Sequence, residues 1–222
     1  MRENRIFALC YRCAAFMLCL AGILATAGAF AGRFNWRMLL YYTTESNIMV
    51  LAMFGALIAK TAAGIKKGGT EGGCSYFERL SAIVMLSITV TLIVFWLLLA
   101  PYFGGGMGLL TFTNMQVHAI TPLLMIFDYF LFAEPGKLKK HDPWIFAVIP
   151  LGYFAQSTAL GFSGFKYGGL SSAPATRFPY FFLDFDLIGS RVFLYVLALT
   201  VFFMALAYLL LWYDRRRGGL AR

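Results

Sequence analysis

The stretch Ile83 to Leu99 reads IVMLSITVTLIVFWLLL and carries no charged residue. A strand of an outer-membrane barrel alternates apolar and polar residues over about 10 positions, whereas this run is apolar on every side. A helix satisfies its own backbone hydrogen bonds inside hydrocarbon and needs roughly 20 such residues to cross about 30 Å. Working outward, long apolar windows give six helical spans: Ile6 to Ala31, Met38 to Ala59, Leu80 to Ala100, Thr111 to Ala133, Trp144 to Phe162 and Leu187 to Tyr213. The expectation is an all-α polytopic membrane protein, a compact bundle of six transmembrane helices forming one domain over 1–222.

Composition agrees. The 222 residues are 60% hydrophobic and 18% aromatic but only 13% charged, where an ordinary soluble domain carries about 25% charge. Six spans leave no room for a separate soluble catalytic domain, so any chemistry lies within the bilayer or at its rim. The net charge of +9 would suggest a polyanion partner in a soluble chain, but here the basic residues fall between apolar runs. They read as topology signals, and nucleic acid is not an expected partner.

With the N-terminus inside, the inner segments hold Arg2, Arg5, Arg12, Lys60, Lys66, Lys67, Arg79, Lys137, Lys139, Lys140, Arg215, Arg216, Arg217 and Arg222. The outer ones hold only Arg33, Arg37, Lys166 and Arg177. This bias predicts cytoplasmic termini in an inner (cytoplasmic) membrane. The basic start, apolar run and small residues from Ala25 to Gly32 also fit a cleaved signal peptide. Arg12 interrupts that run, and five remaining spans would put the inner charges at odds with an outside N-terminus, so a retained first helix is expected. Asp142-Pro143 matches an N-cap and first-turn proline for the fifth helix. Gly64 to Gly73 reads as a Gly/Lys linker, and Pro101 to Gly108 as an uncharged Gly-rich outer loop.

Cys10, Cys13 and Cys19 share the first helix and Cys74 falls in an inner, reducing loop, so core packing is expected rather than redox or zinc chemistry. With only His118 and His141 there is no convincing metal ligand set, and no cofactor is expected.

Polar residues inside a membrane are costly and line cavities or pair with one another. Thr43, Thr44, Glu45, Ser46 and Asn47 come near the outer end of the second span, and Asn114, Gln116, His118 and Thr121 near that of the fourth. Gln156, Ser157 and Thr158 follow in the fifth, and Asp184, Asp186 and Arg191 at the start of the sixth. Residues three, four or seven apart share a helix face. Thr43, Ser46 and Asn47 therefore make one stripe, Asn114, His118 and Thr121 a second, and Asp184 with Arg191 a third, together suggesting a polar cup open to the outside. Glu45 falls off its stripe and is expected to balance an arginine. Asp128, deeper, reads as structural, held by a helix-end group or backbone. Buried hydroxyls often bond a carbonyl one turn back, here Leu39 for Thr43, and a lone histidine often bridges helices. Hydrolase elbows, acyltransferase and phosphate-loop signatures are absent, which leaves a hydroxyl and an imidazole on separate helices.

Three stretches carry a family resemblance: Tyr42-Thr43-Thr44-Glu45-Ser46-Asn47, His118 with Pro122, and Phe178-Pro179-Tyr180-Phe181-Phe182-Leu183-Asp184 leading to Gly189-Ser190-Arg191. In their order and spacing they resemble the small multi-span membrane hydrolases related to the androgen-induced and androgen-dependent proteins, in their shorter bacterial form. The chain differs in carrying Phe181 where a second proline is common and Glu45 where a neutral residue is usual. The resemblance implies an intramembrane hydrolase of fatty acid esters of hydroxy fatty acids, with Thr43 as nucleophile, His118 assisting, and Asp184 and Arg191 at the start of the last helix. Its partners would be a fatty-acyl ester substrate and membrane lipids. A hydroxyl becomes a nucleophile when a neighbouring base takes its proton. Asn47, Asn114 and Gln156 are alternative oxyanion donors, and Asp184 or Asp186 would support His118 only if the sixth helix packs on the fourth. The other functional class left open is a non-enzymatic lipid-binding or carrier protein that holds a head group near Arg191.

Overall fold

The computed structural model describes residues 3–102, 107–168 and 175–220. Arg2, Arg222 and positions 103–106 of the outer Gly-rich loop lie outside them. Six helices are long and apolar enough to cross a membrane: α1 Arg5–Thr26, α2 Tyr42–Gly68, α3 Glu78–Tyr102, α4 Phe112–Phe132, α5 Asp142–Phe162 and α6 Phe185–Gly219. The chain is an all-helical, multi-pass membrane bundle. α1 packs on α2, α2 on α3, α3 on α4 and α4 back on α1, and α6 rests on α3.

The core follows from this arrangement. Ala15, Val50, Phe54, Leu57, Ile88, Met125 and Phe203 are buried together in one cluster, while Phe95, Leu99, Tyr153, Phe182, Leu183 and Val192 form a second. Outward positions are apolar as well: Leu97 is 75% exposed and Leu194 67%. In water such a surface would drive association, but in hydrocarbon it is the matching solvent.

α2 begins at Tyr42, after Tyr41 takes an extended conformation at φ −83°, ψ 142°. It then runs to Gly68, so the supposed linker from Gly64 is partly helical. α5 opens with His141 as cap and proline in its first turn. The Asp142 carboxylate does not cap the helix in the expected way: it accepts from Lys139 N at 2.8 Å and from Arg79 Nε at 2.9 Å. α6 is broken at Gly189, where φ of 57° and ψ of −136° suit glycine. The short turn Phe185–Ile188 is thereby separated from the long helix Val192–Leu220. Asp184 and Arg191 therefore do not share one continuous helical face.

Both ends of the bundle are tied by hydrogen bonds. At one, Arg5 Nη1 donates to Gly64 O and Gly69 O, each at 3.0 Å, Glu134 N donates to Ser75 Oγ, and Asp214 accepts from Gly136 N and Leu138 N. The segments near both termini, the α2–α3 loop and the α4–α5 loop thus meet at the same end. At the other, Tyr41 Oη donates to Gly168 O at 2.8 Å and Arg177 pairs with Asp186.

Arg12, counted from sequence as a topology signal, and Asp128, expected to be held by a helix-end group or backbone, are joined in the interior. Arg12 is 1% exposed and Asp128 3%, and Arg12 Nε donates to Asp128 Oδ1 at 2.8 Å. Arg12 also donates to Thr61 Oγ1 and Cys74 O. The partner of Asp128 is therefore an arginine from α1, and that arginine is a buried cross-link rather than a flanking charge. The expectation of core cysteines holds for Cys19 and Cys74, whereas Cys10 and Cys13 lie on the exposed face of α1.

Candidate functional site

Thr43 lies in the first turn of α2. Tyr41 provides no side-chain cap, so the first-turn N–H groups need partners from elsewhere. Thr43 N finds one, donating to the Tyr180 hydroxyl at 3.3 Å. Two side chains one turn on then fix the backbone at this point: Ser46 Oγ and Asn47 Nδ2 both donate to Thr43 O, at 3.0 and 2.7 Å. Asn47 Nδ2 reaches Val117 O of α4 at 3.0 Å, and Ser46 Oγ meets Thr91 Oγ1 of α3 at 2.7 Å. The stripe expected for α2 is real, and its role is to lock Thr43 against two neighbouring helices.

His118 sits in a π-turn, Gln116–Ile120, inside α4. The imidazole stacks on Phe95 with centroids 3.5 Å apart and planes 12° apart. Phe95 begins a second π-turn, Phe95–Leu99, in α3, and the next residue, Trp96, donates its indole N–H to His118 O at 3.1 Å. Such turns interrupt the helical ladder and recur at functional sites.

The Thr43 hydroxyl is 3.3 Å from His118 Nε2. His118 Nδ1 is 3.2 Å from Asn114 O, a carbonyl that can only accept. The hydrogen-bond pattern therefore assigns the proton to Nδ1 and leaves the Nε2 lone pair facing the threonine. Thr43 thus donates to an imidazole held by stacking and a backbone carbonyl, without the acid partner considered from sequence. Asp184 caps its own turn, accepting from Asp186 N and Leu187 N, and Asp186 pairs with Arg177.

Other expectations change. Glu45 accepts from Gln156 Nε2 at 2.5 Å, so its partner is an amide and Gln156 is committed there. The Asn47 amide is spent on two carbonyls, which removes a second oxyanion candidate. Asn114 contributes through its backbone. Thr121 accepts from Gln116 Nε2 at 3.3 Å across the π-turn. Arg191 is exposed, with no ion-pair partner among the described residues. Among the described residues no group of three metal-ligating side chains comes together.

The expected polar cup is instead a mostly apolar cavity of about 90 Å³. Thr43 and Tyr180 line it together with Phe95, Tyr153, Phe154 and Phe182. Tyr180 is the participant that sequence reasoning left unassigned. Its hydroxyl is 3.5 Å from Thr43 Oγ1, and burial pushes its phenol above the ordinary value. Tyr167, which packs on Tyr41, is likewise pushed up to about 12 by burial.

These features define a polytopic helical membrane protein with a hydroxyl–imidazole pair whose threonine lines an apolar cavity. A scan against protein-family models and searches of curated proteins and of solved structures return no match.

Proposed function

We propose that this protein is an intramembrane hydrolase of lipid esters, with Thr43 as nucleophile and His118 as general base and acid. The observation that carries the reading is the contact between Thr43 Oγ1 and His118 Nε2, with Thr43 on the wall of an aromatic, apolar cavity. The family resemblance of the Thr43, His118 and Phe178 to Arg191 stretches supports it and points to fatty acid esters of hydroxy fatty acids as substrate.

Thr43 Oγ attacks the ester carbonyl while its proton passes to His118 Nε2. The tetrahedral intermediate collapses, the C–O bond to the leaving alcohol breaks, and that oxygen takes the proton from His118. Water then attacks the acyl-threonine, gives its proton to His118 Nε2 and releases the fatty acid, and the proton returns to Thr43. Neutral imidazole suits both halves because it accepts at one nitrogen while the other holds its orienting hydrogen bond. The Tyr180 hydroxyl, which accepts from Thr43 N, keeps its own proton to offer the oxyanion. A preorganised donor of this kind contributes about 3 kcal/mol in other hydrolases.

The proposed setting is an inner membrane with both termini cytoplasmic and Thr43 toward the outer face. The test is labelling of detergent-purified protein with a fluorophosphonate, followed by peptide mapping. An adduct on Thr43 that is lost in Thr43→Ala and His118→Ala supports the hydrolase. No adduct on any residue of folded protein, together with a retained intact lipid in native mass spectrometry, favours the lipid-binding reading instead.

A further inference from the structure

The cavity that Thr43 lines extends along the helices on both sides of it. Its lining includes Leu99 and Leu183 toward one end of the helices and Val90, Pro150 and Phe203 toward the other, and Thr43 stands between them, at His118 stacked on Phe95 and one turn from Ser46 bonded to Thr91. From Phe95 to Val90 along α3 is about 7 Å at 1.5 Å per residue, and Thr200 and Phe203 of α6 line the cavity on that side. The polar atoms on this path are neutralised for an apolar occupant. Thr200 Oγ1 donates to Val196 O of its own helix at 2.7 Å, and Thr91 Oγ1 is bonded to Ser46 Oγ. Phe203 is 1% exposed and belongs to the buried core, so the path ends against a packed ring.

We propose that this cavity seats the acyl chain of the substrate, that Phe203 is its floor and that Thr200 is part of its wall, so that these two residues set the length of chain accepted. The proposal rests on the hydrolase reading for the position of the ester but not for the seat itself. A mostly apolar cavity with the Thr43 hydroxyl on its wall fits an amphiphile whose carbonyl lies at that hydroxyl and whose chain runs from it toward Phe203. A head group or sugar would leave its hydroxyls unpaired along this lining. A phenyl ring at the floor removes room for further methylenes, each worth about 0.8 kcal/mol when buried, so the chain bound best is of medium length.

The test has two measurements on full-length protein in detergent. In the first, hydrolysis of octanoyl and palmitoyl esters of one chromogenic alcohol is compared for wild type, Phe203→Ala and Thr200→Phe. Wild type should prefer octanoyl. The ratio of kcat/KM for palmitoyl over octanoyl should rise about tenfold in Phe203→Ala and fall about tenfold in Thr200→Phe, a typical size for a few methylenes in an apolar pocket. Opposite shifts in two variants cannot come from a general loss of folding. Unchanged ratios in both, with hydrolysis intact, would overturn the seat. In the second, a fatty acid bearing a terminal diazirine is photo-cross-linked to wild-type protein and the adducts are mapped. Adducts on α6 at residues 199–203 support the seat even if no Thr43-dependent hydrolysis is found, in which case the hydrolase reading alone fails. Adducts confined to other helices, or spread over the lipid-facing surface, would overturn it.

Discussion

At the scale of single residues, the tautomer is the main point. Because Asn114 O can only accept, His118 presents a lone pair rather than a proton to Thr43. A histidine that merely bridged two helices would tolerate either arrangement. Tyr180 offers the sharper test, because Tyr180→Phe keeps the ring and removes only the hydroxyl. The expected outcome is a fall in kcat of about a hundredfold with KM nearly unchanged, read in the ester assay, and wild-type kcat would reduce Tyr180 to packing. Burial holds the phenol above its ordinary value, so the donor form persists as pH rises toward that value and the tyrosine adds no alkaline limb to the pH–rate profile below pH ~10. Arg12 and Asp128 give a second prediction. Removing one member of a buried pair strands the other charge, at a cost of about 3 to 5 kcal/mol, while replacing both with apolar groups is often neutral. Arg12→Met alone should markedly lower Tm in detergent, and Arg12→Met with Asp128→Leu should restore most of it. A double variant no better than the single one would contradict this account. In the sequence both residues were visible as intramembrane charges. Their pairing was not, because 116 positions separate them and only the packing of α1 on α4 brings them together.

At the scale of elements, the six spans were legible because apolar length alone identifies a membrane helix. The interruptions were not read. Periodicity assumes one helical register, and the π-turns at Phe95–Leu99 and Gln116–Ile120 change it; Pro101 and Pro122, two residues beyond each, are the sequence marks, because a proline cannot donate to the carbonyl four residues back, here Leu97 and His118. The proximity of Thr43 and His118 was nonetheless legible, since each lies on a polar stripe that a small shift of register does not erase. The bond of Thr121 to Gln116 was not, because it spans the π-turn. Tyr180, Phe95 and Trp96 were passed over because an aromatic residue in an aromatic-rich chain carries no distinguishing signal. Deleting Ala119 should close the turn in α4 to ordinary helix between its present flanks and so move His118 relative to Thr43. The expected result is loss of fluorophosphonate labelling at Thr43 with helical circular dichroism unchanged. Labelling at the wild-type rate would show that the π-turn has no part in placing His118.

At the scale of the whole molecule, the two ends differ in charge and in contents. The end where the terminal segments and the α2–α3 and α4–α5 loops meet carries Arg5, Lys66, Lys67, Lys137, Lys139, Lys140 and Arg215 to Arg217, while the other end carries Arg33, Arg37, Lys166 and Arg177. Removing Arg12 from the count, as its burial requires, leaves the bias standing. Thr43, in the first turn of α2, and His118 beside it lie toward the sparsely charged end, so orientation decides which compartment the pair faces. Single cysteines at Arg33 and Lys139, both exposed, can decide this in a chain whose four native cysteines are replaced. A membrane-impermeant maleimide applied to intact cells should label Arg33→Cys at once and Lys139→Cys only after lysis. The opposite pattern would turn the bundle over and place Thr43 toward the cytoplasmic face, so that the proposed hydrolase would draw its water from inside the cell.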